Sequence, residues 1–225
     1  MDALIEYTMT DYDRVFSFWR LLAETSAPVG LSKALFNTSA PFVMSNALWY
    51  PEPESIAELN DVYAEQGVSP SCFLSAALDA ELYQTLALSN AGFARVAQYG
   101  FHPLGELTQS GLAVEQVSWV QTRSLGEVVA AVYDLSPYAV AVGQALALAL
   151  QLEPALNAFV AYDERPVGAM VMRSEAGALT AYVLEALTPA ADAALRARLV
   201  FEAEAQGKAA QVFEPLENGA FELWR

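Results

Sequence analysis

One cysteine, one histidine and 11 basic residues in a chain of 225 leave several chemistries out of reach. With only Cys72 there is no internal disulfide, and a lone thiol with a lone imidazole is poor material for a metal site. Cys72 stands in the apolar run Ser71-Cys72-Phe73-Leu74 and reads as a small buried core residue. The basic residues face 27 acidic ones, a net charge of −16, so nucleic acid is repelled over most of the surface while cationic partners, amines included, are tolerated or attracted. The same charge keeps an apolar chain in solution. Long apolar runs are missing too. The longest, Tyr138 to Leu152, is interrupted by Gly143 and Gln144 and is too short to span a bilayer, and the first residues, MDALIEYTMTDYDR, have neither a basic region nor an apolar signal core. A cytoplasmic protein with no membrane span is expected.

What the chain does have is apolar bulk: 55% hydrophobic residues can bury a substantial core, in one large domain or two small ones. The most informative stretch runs from Ala158 to Gly207. The runs AFVAY, VGAMVM and ALTAYVLE read as strands, joined by Asp163-Glu164-Arg165-Pro166 and by Arg173 to Gly177, breaks short enough for antiparallel hairpins. A helix then opens at Thr188-Pro189, a good N-cap followed by a proline suited to the first helical position, and closes at Gly207. Because a strand leading into a helix N-terminus often holds anionic phosphate, Glu185 to Asp192 is the first place to look for function.

Earlier in the chain, helices are expected over Thr10 to Ala27, Ile56 to Gln66 and Ala80 to Ala91, with strands over Cys72 to Ala76 and Phe93 to Phe101. After the polar, glycine-containing segment Gly105 to Gly111, the candidate linker, a strand over Val114 to Val120 leads to a helix with Ser124 and Glu127 in capping-box spacing, and an apolar helix covers Ala139 to Leu152. A last strand, Ala209 to Glu214, precedes the tail LENGAFELWR. The expected architecture is a mixed α+β fold, a mostly antiparallel sheet flanked by helices, in two similar halves: 1–104 and 112–225, with 105–111 between them.

The order in the second half, strand, two helices, three antiparallel strands, capped helix, strand, resembles the GNAT acyltransferase superfamily. The hairpin AFVAYDERPVGAMVM and the segment YVLEALTPAADAALRARLVFEAEAQGKAAQVF carry the resemblance, and NALWYPEPESIAELNDVYAEQGVSPSCF with LYQTLALSNAGFARVAQYG resembles the N-terminal part of two-part members. Leu82-Tyr83 and Asn90 to Phe93 are similar to a GNAT terminal segment, and Asn218 to Arg225 resembles the start of the family's last helix. The resemblance implies acetyl transfer from acetyl-coenzyme A to a small amine. The cofactor would lie against Val183 and Leu184, with Thr188, Ala190 and Arg196 near its phosphates, and Glu185 and Tyr182 would be the catalytic pair. The chain departs from the family at two places. Asp192-Ala193-Ala194-Leu195-Arg196-Ala197 stands where an Arg/Gly-rich loop binds pyrophosphate, and Leu223-Trp224 stands where a tyrosine often protonates the leaving thiolate.

From the residues themselves, amine acylation needs a base, donors that polarise the thioester carbonyl and an acid for the sulfur. Glu185 at a strand end is the base candidate, against the simpler reading of a solvated carboxylate. Tyr182 and Tyr162 are acid or pocket residues, and strict alternation places Tyr182 on one face with Thr180 and Leu184, where packing is the competing role. His102 precedes Pro103 and has no identifiable orienting partner. Arg196 and Arg198 either meet a phosphate or pair with carboxylates such as Glu202. Glu52, Glu54 and Glu58 are sufficiently explained by a helix start. An alternative function, from the same departures, is an inactive module that binds a small molecule or a partner. A third arrangement has the two halves sharing one sheet, with the strand near Ala94 to Tyr99 standing in for the missing tail. Homodimerisation is left open, and no metal is expected.

Overall fold

Residues 2–75, 87–105 and 111–225 are described by a computed structural model. In chain order its regular elements are α1 (Asp2–Leu22), β1 (Thr25–Val29), β2 (Ser32–Phe36), β3 (Leu48–Trp49), α2 (Pro53–Glu65), β4 (Cys72–Ser75), β5 (Arg95–Leu104), β6 (Ala113–Val117), α3 (Arg123–Val132), α4 (Ala139–Leu152), β7 (Leu156–Asp163), β8 (Arg165–Ser174), β9 (Ala178–Ala186), α5 (Pro189–Ala205), β10 (Ala209–Pro215) and β11 (Phe221–Trp224). They form two compact units, residues 1–100 with 215–225, and residues 101–214. The start of the helix expected from Ala80, and residues 106–110 of the candidate linker, lie outside the described residues.

In the first unit the strand order is β1-β2-β3-β4-β11-β5, antiparallel except for the β3–β4 pair. The helix expected to run to Ala27 stops at Leu22, and Thr25–Val29 is instead the edge strand of a hairpin turned at Gly30, whose φ of 63° suits glycine. Pro28 is tolerated there because an edge strand can lack one donor. The last residues also differ from expectation. Phe221–Trp224 is not the start of a helix but a strand between β4 and β5, with all four side chains buried. Phe221 stacks on Phe73 at 5.8 Å, and the buried Glu222 accepts bonds from Arg95, Gln98 and the Trp224 indole.

In the second unit the strands and helices follow the order expected from the sequence. Its strand order is β10-β9-β8-β7-β6; neighbours are antiparallel from β6 to β9, and β9 and β10 are parallel. Helix α5 buries Ala191, Leu195, Leu199 and Ala203 against Phe159, Ala161, Met170, Met172, Leu179 and Ala181. The close approach is permitted at Gly168, where a Cβ would stand 2.9 Å from Leu195 Cδ1 and 3.1 Å from Ala191 Cβ. The other sheet face, carrying Ala158, Val160, Ala169 and Val171, takes α3, whose Leu125, Val128 and Val129 are buried. Helices α3 and α4 touch through Gly126 and Gly143: a Cβ added at Gly126 would stand 2.6 Å from the Gly143 nitrogen, and one added at Gly143 3.0 Å from the Thr122 carbonyl oxygen. The capping box in this region belongs to Ser118 and Gln121 on a 3-10 turn, rather than to Ser124 and Glu127. No helix among the described residues is long and apolar enough to cross a membrane.

Candidate functional site

Two features of β9 shape the site, and both break regular sheet pairing. Opposite β8, consecutive residues Val171 and Met172 face Val183 and Ala181, so Tyr182 is an extra residue in a bulge. The bulge shifts the alternation. Leu179 and Ala181 pack towards α5, and after the bulge Leu184 and Ala186 do so, leaving Thr180, Tyr182, Val183 and Glu185 out of that cluster. The strict alternation that would place Leu184 with Tyr182 is therefore overturned. Unbulged, Glu185 would share the α5-facing row with Leu179 and Ala181; bulged, it is released to the face of α3.

There Glu185 accepts a 2.5 Å hydrogen bond from the hydroxyl of Tyr133, the residue that ends α3. Burial raises the Glu185 carboxyl above the ordinary carboxylate range, and the Tyr133 bond offsets part of the rise. Tyr133 is itself 55% exposed, so the pair stands at the surface of the sheet face rather than inside the core.

The second feature is where β9 and β10 part. Their parallel pairing runs from Ala178 opposite Ala209 to Ala181 opposite Val212. Beyond it, residues 182–186 of β9 and 213–215 of β10 continue as strand outside that pairing. Val183 and Leu184 lie on this stretch, followed by Glu185. A strand edge of this kind presents backbone donors and acceptors to an extended, amide-bearing chain.

Tyr182 is placed differently from Glu185. It is 3% exposed, its hydroxyl donates to Glu175 at 2.7 Å and accepts from Arg173 at 3.0 Å, and Glu175 also accepts from Arg173 and Thr180. Arg173 stacks over the Tyr182 ring, with the guanidinium carbon 4.8 Å from its centroid. A buried hydroxyl needs partners of this kind, and the arrangement holds Tyr182 in a polar network behind β9.

The strand-to-helix junction brings together the remaining sequence candidates. Thr188 caps α5, its side chain accepting from the Ala191 amide at 3.2 Å, and its carbonyl accepts from the amides of Ala191 and Asp192. Pro189 offers no amide, and Ala190 follows it in the first turn. Arg196 donates through Nε to both oxygens of Asp192, at 3.0 and 2.9 Å, and through its terminal nitrogens to Glu214, the shorter bond at 2.6 Å. Glu214 also bonds His102 Nδ1 at 2.5 Å. Burial opposes charge on both partners, but the ion pair prevails: Arg196 is held above its ordinary value and, with His102 assisting, Glu214 below the usual carboxylate range. Sequence spacing pointed to Arg196 with a helical neighbour; it gave no sign of Glu214 or His102, which join from other strands.

In sequence the chain matches no protein-family model and no curated protein. In structure it is similar to a GCN5-related N-acetyltransferase from Kribbella flavida, with a TM-score of 0.57 at 15% identity over 94% of this chain and 92% of that one. The fold is that of the GCN5-related N-acetyltransferases. A functionally unknown conserved protein from Staphylococcus epidermidis has a TM-score of 0.54 at 14% identity, over 90% of this chain and 92% of that one. A second Kribbella flavida GCN5-related N-acetyltransferase structure scores 0.51 at 15% identity, and there the match spans 80% of this chain and 51% of that one.

Against the demands of acetyl-coenzyme A, the two parts of this acetyltransferase-fold site behave differently. Val183 to Ala186, paired with β8 on one side and lying beyond the pairing with β10 on the other, offer an edge that suits an amide-bearing arm. The helix terminus does not fit a diphosphate: the Ala191 and Asp192 amides are bonded to Thr188, Asp192 puts a carboxylate in the first turn, and Arg196 is bonded by two carboxylates.

Proposed function

We propose that the chain is an N-acyltransferase, moving an acyl group, acetyl in the simplest case, from a thioester to a small amine. The observation that carries this reading is the placement of Glu185: a half-buried carboxylate, raised by burial, turned by the bulge onto the face of α3 and sitting on the stretch of β9 that runs free of β10. A carboxylate raised in this way is a stronger base than an ordinary glutamate for taking a proton from an ammonium. Glu185 receives that proton, the freed nitrogen lone pair forms the N–C bond as the C–S bond breaks, and the thiolate takes the second nitrogen proton through solvent. Tyr133 holds the Glu185 carboxylate in place. The acidic surface, net −16, favours a cationic acceptor. The structural neighbours named above as N-acetyltransferases support acetyl as the group moved, and acetyl-coenzyme A is the donor proposed, its amide-bearing arm lying along the edge of β9.

The test is acyl transfer measured by mass spectrometry with acetyl thioesters and a panel of mono- and polyamines. Glu185→Gln is expected to lower kcat/KM about 100-fold or more, the ordinary contribution of a general base. Full activity in that variant would remove Glu185 from the mechanism.

A further inference from the structure

The helix terminus that fails to suit a diphosphate says something about the donor. We propose that this chain recognises its thioester through the pantetheine arm alone, so that the nucleotide diphosphate of coenzyme A contributes nothing to binding; this rests on the acyltransferase reading above. Two independent observations support it. Along β9, Val183 to Ala186 are paired with β8 on one side and lie beyond the pairing with β10 on the other, a length of strand edge able to bond the amides of a pantetheine chain. At the head of α5, the groups that would receive phosphate are already engaged inside the protein: the Ala191 and Asp192 amides by Thr188, and the Arg196 guanidinium by Asp192 and Glu214 together.

Charge points the same way. Arg196 contributes one positive charge and Asp192 and Glu214 two negative ones, so these three groups together are net negative. An approaching diphosphate would have to displace a doubly bonded guanidinium while facing both carboxylates. The donors that fit are acyl thioesters of pantetheine-like thiols, in which no diphosphate need sit at the helix terminus.

Calorimetric titration of the full chain with pantetheine and with coenzyme A, each reduced, reads this directly. The expected result is dissociation constants within about threefold of one another, and little change when sodium chloride rises from about 50 to 300 mM, because no exposed phosphate contact is there to be screened. Coenzyme A binding more than about tenfold tighter than pantetheine overturns the inference and leaves the acyltransferase reading standing. Binding of neither ligand overturns both. As a second arm, Asp192→Asn removes a carboxylate that is 40% exposed and weakens the hold on Arg196. It is expected to shift preference towards coenzyme A by severalfold, and an unchanged ratio in the folded variant would contradict the role given to this cluster.

Discussion

Replacing Gly168 by alanine puts a methyl group into the tightest contact between β8 and α5. The new Cβ would stand 2.9 Å from Leu195 Cδ1, 3.1 Å from Ala191 Cβ and 3.2 Å from Ala161 Cβ. Each distance is shorter than a comfortable carbon–carbon contact, and three neighbours crowd one added atom. Overpacking of this kind costs about 1–3 kcal/mol. Alanine also restricts the unfolded chain, which returns about 0.4–1 kcal/mol where its backbone conformation is unstrained. The net expectation is a loss of about 1–2 kcal/mol, or roughly 2–8 °C in Tm for a chain of this size. Leu195→Ala alone, at a side chain with no exposure, should cost about 2–5 kcal/mol. In the double variant the added methyl occupies space that the leucine vacated, so the two losses should fall short of their sum by about 1 kcal/mol. Urea unfolding followed by far-UV circular dichroism and tryptophan fluorescence gives all four corners of the cycle. Additive losses, or a Gly168→Ala protein as stable as the parent, would refute the argument that glycine is there to let α5 close on β8.

Three further outcomes follow from the site and the first unit. Tyr133→Phe removes the bond that lowers the Glu185 pKa, so the acid limb of the pH–rate profile should move to higher pH, while a limb that stays in place would show that Tyr133 does not tune the base. Glu185 keeps its proton to higher pH when folded than when unfolded, so it makes stability fall as pH rises from the ordinary glutamate range through its raised value; Glu185→Gln should flatten this part of a stability–pH curve measured in urea. Glu222→Ala strips the buried partner from the Trp224 indole and from Arg95, and should destabilise by about 1–3 kcal/mol by the same unfolding assay.

How far the sequence could lead differed between the two units for a physical reason. Helix α4 was expected over Ala139 to Leu152 and lies there, and β7, β8, β9 and α5 follow the expected order, because their signals are local: turn residues, β-branched runs, Thr188-Pro189 and Gly207. Strand β11 depends on partners far away, Cys72 to Ser75 and Arg95 to Tyr99, so nothing local to FELW distinguishes it from the start of a helix. The site shows the same contrast. Glu185 could be singled out from its position at a strand end, but the bulge that turns it to α3, the Tyr133 hydroxyl 52 positions away and the capture of Arg196 by Glu214 are tertiary facts. A one-residue shift in register reverses which side chains face a helix, and no local pattern in ALTAYVLEA announces it.

The most direct test of the central claim is the pH dependence of kcat/KM for acyl transfer from acetyl-pantetheine to an amine, compared between the parent chain and Glu185→Gln. The parent should show an acid limb above the ordinary glutamate range, and the variant should lose both that limb and about two orders of magnitude in rate. An unchanged limb and rate in Glu185→Gln would contradict it.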